Sequence, residues 1–157
     1  MKLEDMKKEY EKLSKKYNLP KFNELNSDFE IEKFDKDSDS LLKAIRKLMM
    51  EKIVNSMTFL EMLINPVNAP RMYMPYLRTM STEDRKIIDD IYSTLADLSI
   101  LSLDLEIDSS EKSEGDLIKK VSDKWVFAKP GFRKILGNMK KPSNVSNDNK
   151  KERSYFG

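Results

Sequence analysis

The chain has 157 residues, 39% hydrophobic and 36% charged, with a formal net charge of +2, four glycines, and neither cysteine nor histidine. That length suits one domain with a working core. Disulfides, thiolate nucleophiles, Cys-ligated metals, Ser–His and Cys–His dyads and Glu-x-x-His di-iron pairs are excluded. The charge is unevenly placed: −4 over 28–39 (six acids, two lysines), −5 over 104–116 (six acids, one lysine) and +7 over 119–141 (eight bases, one acid). Adjacent runs of opposite sign can attract each other across a fold, which makes solvated, mutually paired faces the simplest reading.

In chain order, the first stretch, Met1 to Lys16, is charged throughout and has no apolar run, so it does not read as a signal peptide. No window approaches the roughly 18 consecutive apolar residues of a spanning helix, and the expected location is cytoplasmic. Leu3, Met6, Tyr10, Leu13 and Tyr17 recur at helical steps between Lys and Glu. That narrow stripe predicts a helix over 2–17 that docks on a single neighbour, the central helix, and ends before Pro20. From Leu19 to Ser40 the pattern is irregular. Phe22, Leu25 and Phe29 fit a helical turn or two, whereas Phe29 to Glu32 alternates like a short strand.

The central element is expected over 39–64. Leu42, Ile45, Met49, Ile53, Met57, Leu60 and Ile64 form one apolar stripe, widened by Leu41, Leu48, Met50, Val54, Phe59 and Leu63. Lys43, Lys47, Glu51, Asn55 and Thr58 leave the opposite face polar. A helix apolar over so much of its circumference must be covered on more than one side, as in a bundle. Asp35, Asp37 and Asp39 have the opening spacing of an EF-hand calcium loop, but Ser40 stands where glycine is needed and Arg46 where the bidentate Glu belongs. Carboxylates and Ser before a helix are better explained as caps.

Pro66, Pro70 and Pro75 interrupt the next stretch, Asn65 to Met80, which reads as a long apolar loop. Met72, Tyr73, Tyr76 and Arg78 are its candidate partner-binding residues, because Met adapts to irregular surfaces and Tyr and Arg recur at interface hot spots. The competing reading has them cap the bundle's end. Ser81-x-x-Asp84 opens a helix expected over 82–106. Near its end Leu101, Leu103, Leu105 and Ile107 alternate like a strand, but Leu98, Leu101 and Leu105 fit a helix and no turn signal intervenes, so helix is chosen. Asp104, Glu106 and Asp108 could hold magnesium only if local geometry gathered them, and no metal is expected.

Leu117, Val121, Trp125, Ala128, Phe132, Ile135 and Met139 keep one helical phase through Pro130 and Gly131, predicting a single kinked helix over 113–139. Lys119, Lys120, Lys124, Arg133 and Lys134 on it could follow a phosphate backbone, with Trp125 stacking on a base, although Trp125 also belongs to the apolar stripe. Residues 142–157 read as a flexible polar tail, with Tyr155-Phe156 a second short docking element.

The sequence thus predicts one all-α domain over 1–141, a bundle of about four helices around a long central one. No glycine-rich nucleotide cradle occurs, and no cofactor is expected. The favoured function is a non-enzymatic cytoplasmic interaction or adaptor protein, binding a protein partner or a second copy of itself. The alternative is a nucleic-acid-associated protein using the face from Lys119 to Lys141.

Overall fold

The computed structural model describes residues 1–34 and 40–141. The expected caps at Asp35, Asp37 and Asp39, and the tail with Tyr155 and Phe156, lie outside the described residues. The all-α class holds: the described residues contain six α-helices and no strand. They are α1 (Leu3–Tyr17), α2 (Phe22–Phe29), α3 (Leu41–Ile64), α4 (Met74–Thr79), α5 (Thr82–Ile107) and α6 (Glu111–Lys140). The expected count of about four is corrected by two short helices, α2 and α4.

Three long helices make the centre, with α3, α5 and α6 each packed on the other two. The α3 stripe supplies Leu42, Ile45, Met49, Ile53 and Leu60 to the core, α5 adds Ile88, Ile91, Leu95 and Leu98, and α6 adds Ile118, Val121, Ala128 and Ile135. Most of the stability of such helices comes from burying these faces, at about 1.5–3 kcal/mol for each large aliphatic side chain. The alternating segment at the end of α5 is helical through Ile107. The alternation arises because Leu103 and Ile107 point to solvent.

The α6 helix runs unbroken through Pro130. Pro130 and Val126, whose carbonyl loses its usual donor, are both exposed, so water can replace the missing bond. Gly131 then lets α6 approach α5, since a Cβ there would stand 2.6 Å from Ile91 Cδ1.

The first helix, α1, does not lie along α3 as expected. It packs on α2 and on the start of α6, where Lys16 Nζ and the Tyr17 hydroxyl both donate to Glu111 Oε1, at 2.9 and 2.6 Å. Asn18, in the left-handed region at φ 53°, ends α1 two residues ahead of Pro20. The stretch expected to be irregular folds as α2 and a 3-10 turn at Ile31–Lys33, which bury Phe22, Leu25, Phe29 and Ile31 over the core.

Candidate interaction surfaces

The connection from Asn65 to Met80 is not a loop throughout. Pro66 and Pro70 lead into 3-10 turns at Pro66–Asn68 and Arg71–Tyr73, and Pro75 sits in the first turn of α4, where no N–H is required. This local structure sorts the four predicted residues into two pairs. Tyr76 turns inward and is buried, its hydroxyl donating to Asp84 Oδ2 at 2.9 Å. Tyr73 is half-buried, edge-on to Phe59 with ring centroids 6.0 Å apart. Met72 is 78% exposed, neighbouring Val67 is 83% exposed, and Arg78 also faces solvent. Tyr76 therefore closes the end of the bundle, and the outward surface includes Val67, Arg71, Met72 and Arg78.

Asp84 organises that closure. Ser81 caps α5 by accepting from the Asp84 N–H at 3.0 Å, but the Asp84 carboxylate does not reach back as in a full capping box. It turns inward, where Asn138 Nδ2 donates to Oδ1 and Oδ2 at 3.1 and 2.9 Å beside the Tyr76 bond. Burial, together with the bond to Asp84, pushes the Tyr76 hydroxyl pKa well above its ordinary value, so it remains a donor.

The five cations predicted for nucleic acid do not share one face of α6, since Lys124 and Arg133 stand nine residues apart on opposite sides of the helix, and two of the five are engaged. Lys119 pairs with Asp116 at 3.6 Å and Lys134 with Glu83 at 2.5 Å. Lys120, Lys124 and Arg133 are exposed and make no ion pair among the described residues. Trp125 is core, as its place in the stripe suggests. Its ring packs between Phe29 and Phe132, at 5.9 and 5.6 Å between centroids, with Lys52 Nζ 5.0 Å from its ring. A base could not stack there without unpacking the core.

An open groove of about 940 Å³ runs between α2, α3 and α6, with Leu48, Phe59, Trp125 and Phe132 among the residues that line it. Its edge charges largely cancel: Lys129 pairs with Asp28 at 2.5 Å and Lys33 with Glu30 at 2.8 Å. Among the described residues no group of three or more acids is gathered to hold a metal. Glu106 illustrates why, since its carboxylate goes to Arg46 and away from Asp104.

That bond belongs to a network the sequence reading missed. Arg46 on α3 is 2% exposed and forks onto Glu114, Nε to Oε2 at 2.8 Å and Nη2 to Oε1 at 3.2 Å. Its Nη1 reaches Glu106 at 2.6 Å and Ser102 Oγ at 3.1 Å, both on α5. One guanidinium thus ties together all three central helices, using the planar fork that only Arg provides. The signal was present: Arg46 sits one residue after Ile45 and one turn after Leu42, inside the apolar arc of α3. Comparison with known proteins finds no match to the chain among protein-family models, curated proteins or solved structures.

Proposed function

We propose that this chain is a non-enzymatic cytoplasmic interaction protein that docks a protein partner through the connection between α3 and α5. The observation that carries the reading is the division of labour within that connection. Tyr73 and Tyr76 fix it from behind, while Met72 and Val67 stand in solvent beside Arg71 and Arg78. A surface held in place this way loses little entropy on binding. Residues 65–80 carry two arginines and no acid, so the partner surface it fits is apolar and framed by carboxylates.

Quantitative affinity purification of the intact chain tests this with Met72→Asp/Arg78→Glu and, as a surface control, Lys8→Glu. The reading predicts that at least one species is lost from the double variant alone, with melting unchanged. The same captured set in all three chains contradicts it.

A second reading, nucleic acid on α6, draws on Lys120, Lys124 and Arg133, which are exposed and make no ion pair among the described residues. Three phosphate contacts give a slope of about −3 in log K against log salt on a DNA duplex. No binding of duplex or single-stranded probes at low salt removes it.

A further inference from the structure

The second half of α5 presents an apolar stripe that no described residue covers. Ile100, Leu103 and Ile107 are 65%, 66% and 87% exposed, and their spacing of three and four places them on one side of the helix, away from Leu95 and Leu98 in the core. The register set by Ser99 to Met57 and by Arg46 to Glu106 brings exposed Val54 of α3 level with Ser99, one turn from Leu103. The apolar strip therefore broadens toward α3. Isolated exposed aliphatics are ordinary, but a row of them along one helix is not.

Along α5 itself the charge beside this row is of one sign, and the bases Lys43 and Lys47 of α3 lie on its other side, near Glu106. Residues 87–108 contain six acids and no base. Glu106 is held by Arg46, whereas Asp97, Asp104 and Asp108 line the flank of the stripe with no ion pair among the described residues. This pattern decides between occupants. A second copy laid antiparallel on the stripe would bring Asp97 against the other copy's Asp108, and like charges across an interface oppose pairing. An acidic segment meets the same repulsion.

We infer that the Ile100–Leu103–Ile107 stripe, flanked by Asp97, Asp104 and Asp108, is a docking site for a basic amphipathic helix of a partner protein. The partner's apolar side chains at helical spacing lie along the stripe and its Lys or Arg residues meet the three aspartates. This site is separate from the connection around Met72. Level with the start of α5, that connection stands about 1.5 Å × 25 residues, or roughly 38 Å, from Ile107. The two sites face partners of opposite charge.

The test titrates the full chain with a labelled synthetic Leu/Lys amphipathic helix, and with its counterpart carrying Glu in place of Lys. Fluorescence anisotropy reads affinity, and amide chemical shifts locate the site. The expected result is binding of the basic peptide only, with shifts at Ile100–Ile107 and affinity falling as salt rises. Leu103→Gln/Ile107→Gln should weaken it by at least about tenfold, a free-energy loss near 1.4 kcal/mol. Asp97→Asn/Asp104→Asn/Asp108→Asn should flatten the salt dependence, and melting should be unchanged in both variants. Equal affinity for the acidic peptide, shifts elsewhere, or full binding by the Gln variant overturns the inference. So does a concentration-dependent dimer that Leu103→Gln abolishes, since the occupant is then a second copy. Affinity that rises on removal of residues 142–157 overturns it as well, because the chain then covers its own stripe.

Discussion

Asp84, in the first turn of α5, and Glu114, in α6 beside the far end of α5, are buried carboxylates whose charges are met by different means. Near the end of α5, Glu114 faces a full counter-charge, the Arg46 guanidinium, in a two-bond fork. At its start, Asp84 makes no ion pair among the described residues. It accepts from the neutral donors Tyr76 and Asn138, while both carboxylates share a place in a first helical turn, Asp84 in α5 and Glu114 in α6, where the dipole favours negative charge. The comparison shows two ways of closing a bundle end over a charge. In one, loss of Arg46 strands Glu114, whereas Arg46 keeps Glu106 and Ser102 if Glu114 is lost. In the other, neutral donors can be lost singly.

The largest expected effect breaks the charged end. Arg46→Met strands Glu114 in the core and should cost about 3–5 kcal/mol in urea unfolding, whereas Arg46→Met/Glu114→Met should recover most of that loss. A single variant as stable as wild type would mean that the cluster is not sealed from water. At the neutral end the cost is smaller. Tyr76→Phe leaves Asn138 still donating to Asp84, and about 1–3 kcal/mol is expected.

Glycines on α6 sharpen the comparison of core with surface. A Cβ at Gly137 meets nothing within 4 Å, so Gly137→Ala should stabilise by up to about 1 kcal/mol. At Gly131 the same methyl meets Ile91 and Ile87 at 2.6 and 3.0 Å. Overpacking of about 1–3 kcal/mol should there cancel or exceed the helix gain, so Gly131→Ala should be the less stable variant.

The pH dependence is smaller again. The Glu106 carboxyl is held below its ordinary value chiefly by the hydrogen bond from Arg46. A depressed folded value means that its stabilisation is complete above the ordinary glutamate range and is lost as pH falls through the folded value. Because Glu106 is partly exposed, solvent screens much of this. Acidification should cost wild type slightly more than Glu106→Gln, as read from urea midpoints. Smallest of all, Met72→Asp and Leu103→Gln should each move stability by less than about 0.5 kcal/mol.

The long helices were legible because each carries its own stripe. The positions from Leu42 to Leu60 and from Leu117 to Ile135 mark which face of α3 and α6 is covered, and the structure buries nearly all of them. The short helices were obscured. Three prolines between Pro66 and Pro75 argued against helix, yet Pro75 occupies the one part of α4 that tolerates it. At α2, Phe29–Ile31 mimicked a strand because Glu30 adopts φ 50° and turns the chain between two helical pieces.

Side-chain direction within the connection was the least legible feature. Met72, Tyr73 and Tyr76 are similar in character, and only Asp84, eight residues after Tyr76, determines which tyrosine is core. The Arg46–Glu114 pair spans 68 positions, beyond any local pattern. The stripe on α5 was visible only as an ambiguity, since leucines on both faces resemble alternation.

One helical bundle carries two separate exposed surfaces, around Met72 and around Leu103. Parallel affinity purification from cells expressing wild type, Met72→Asp or Leu103→Gln tests it most directly. Each substitution should remove its own partners and spare the other's, while all three chains melt together. Identical captured sets, or a variant that unfolds, would contradict it.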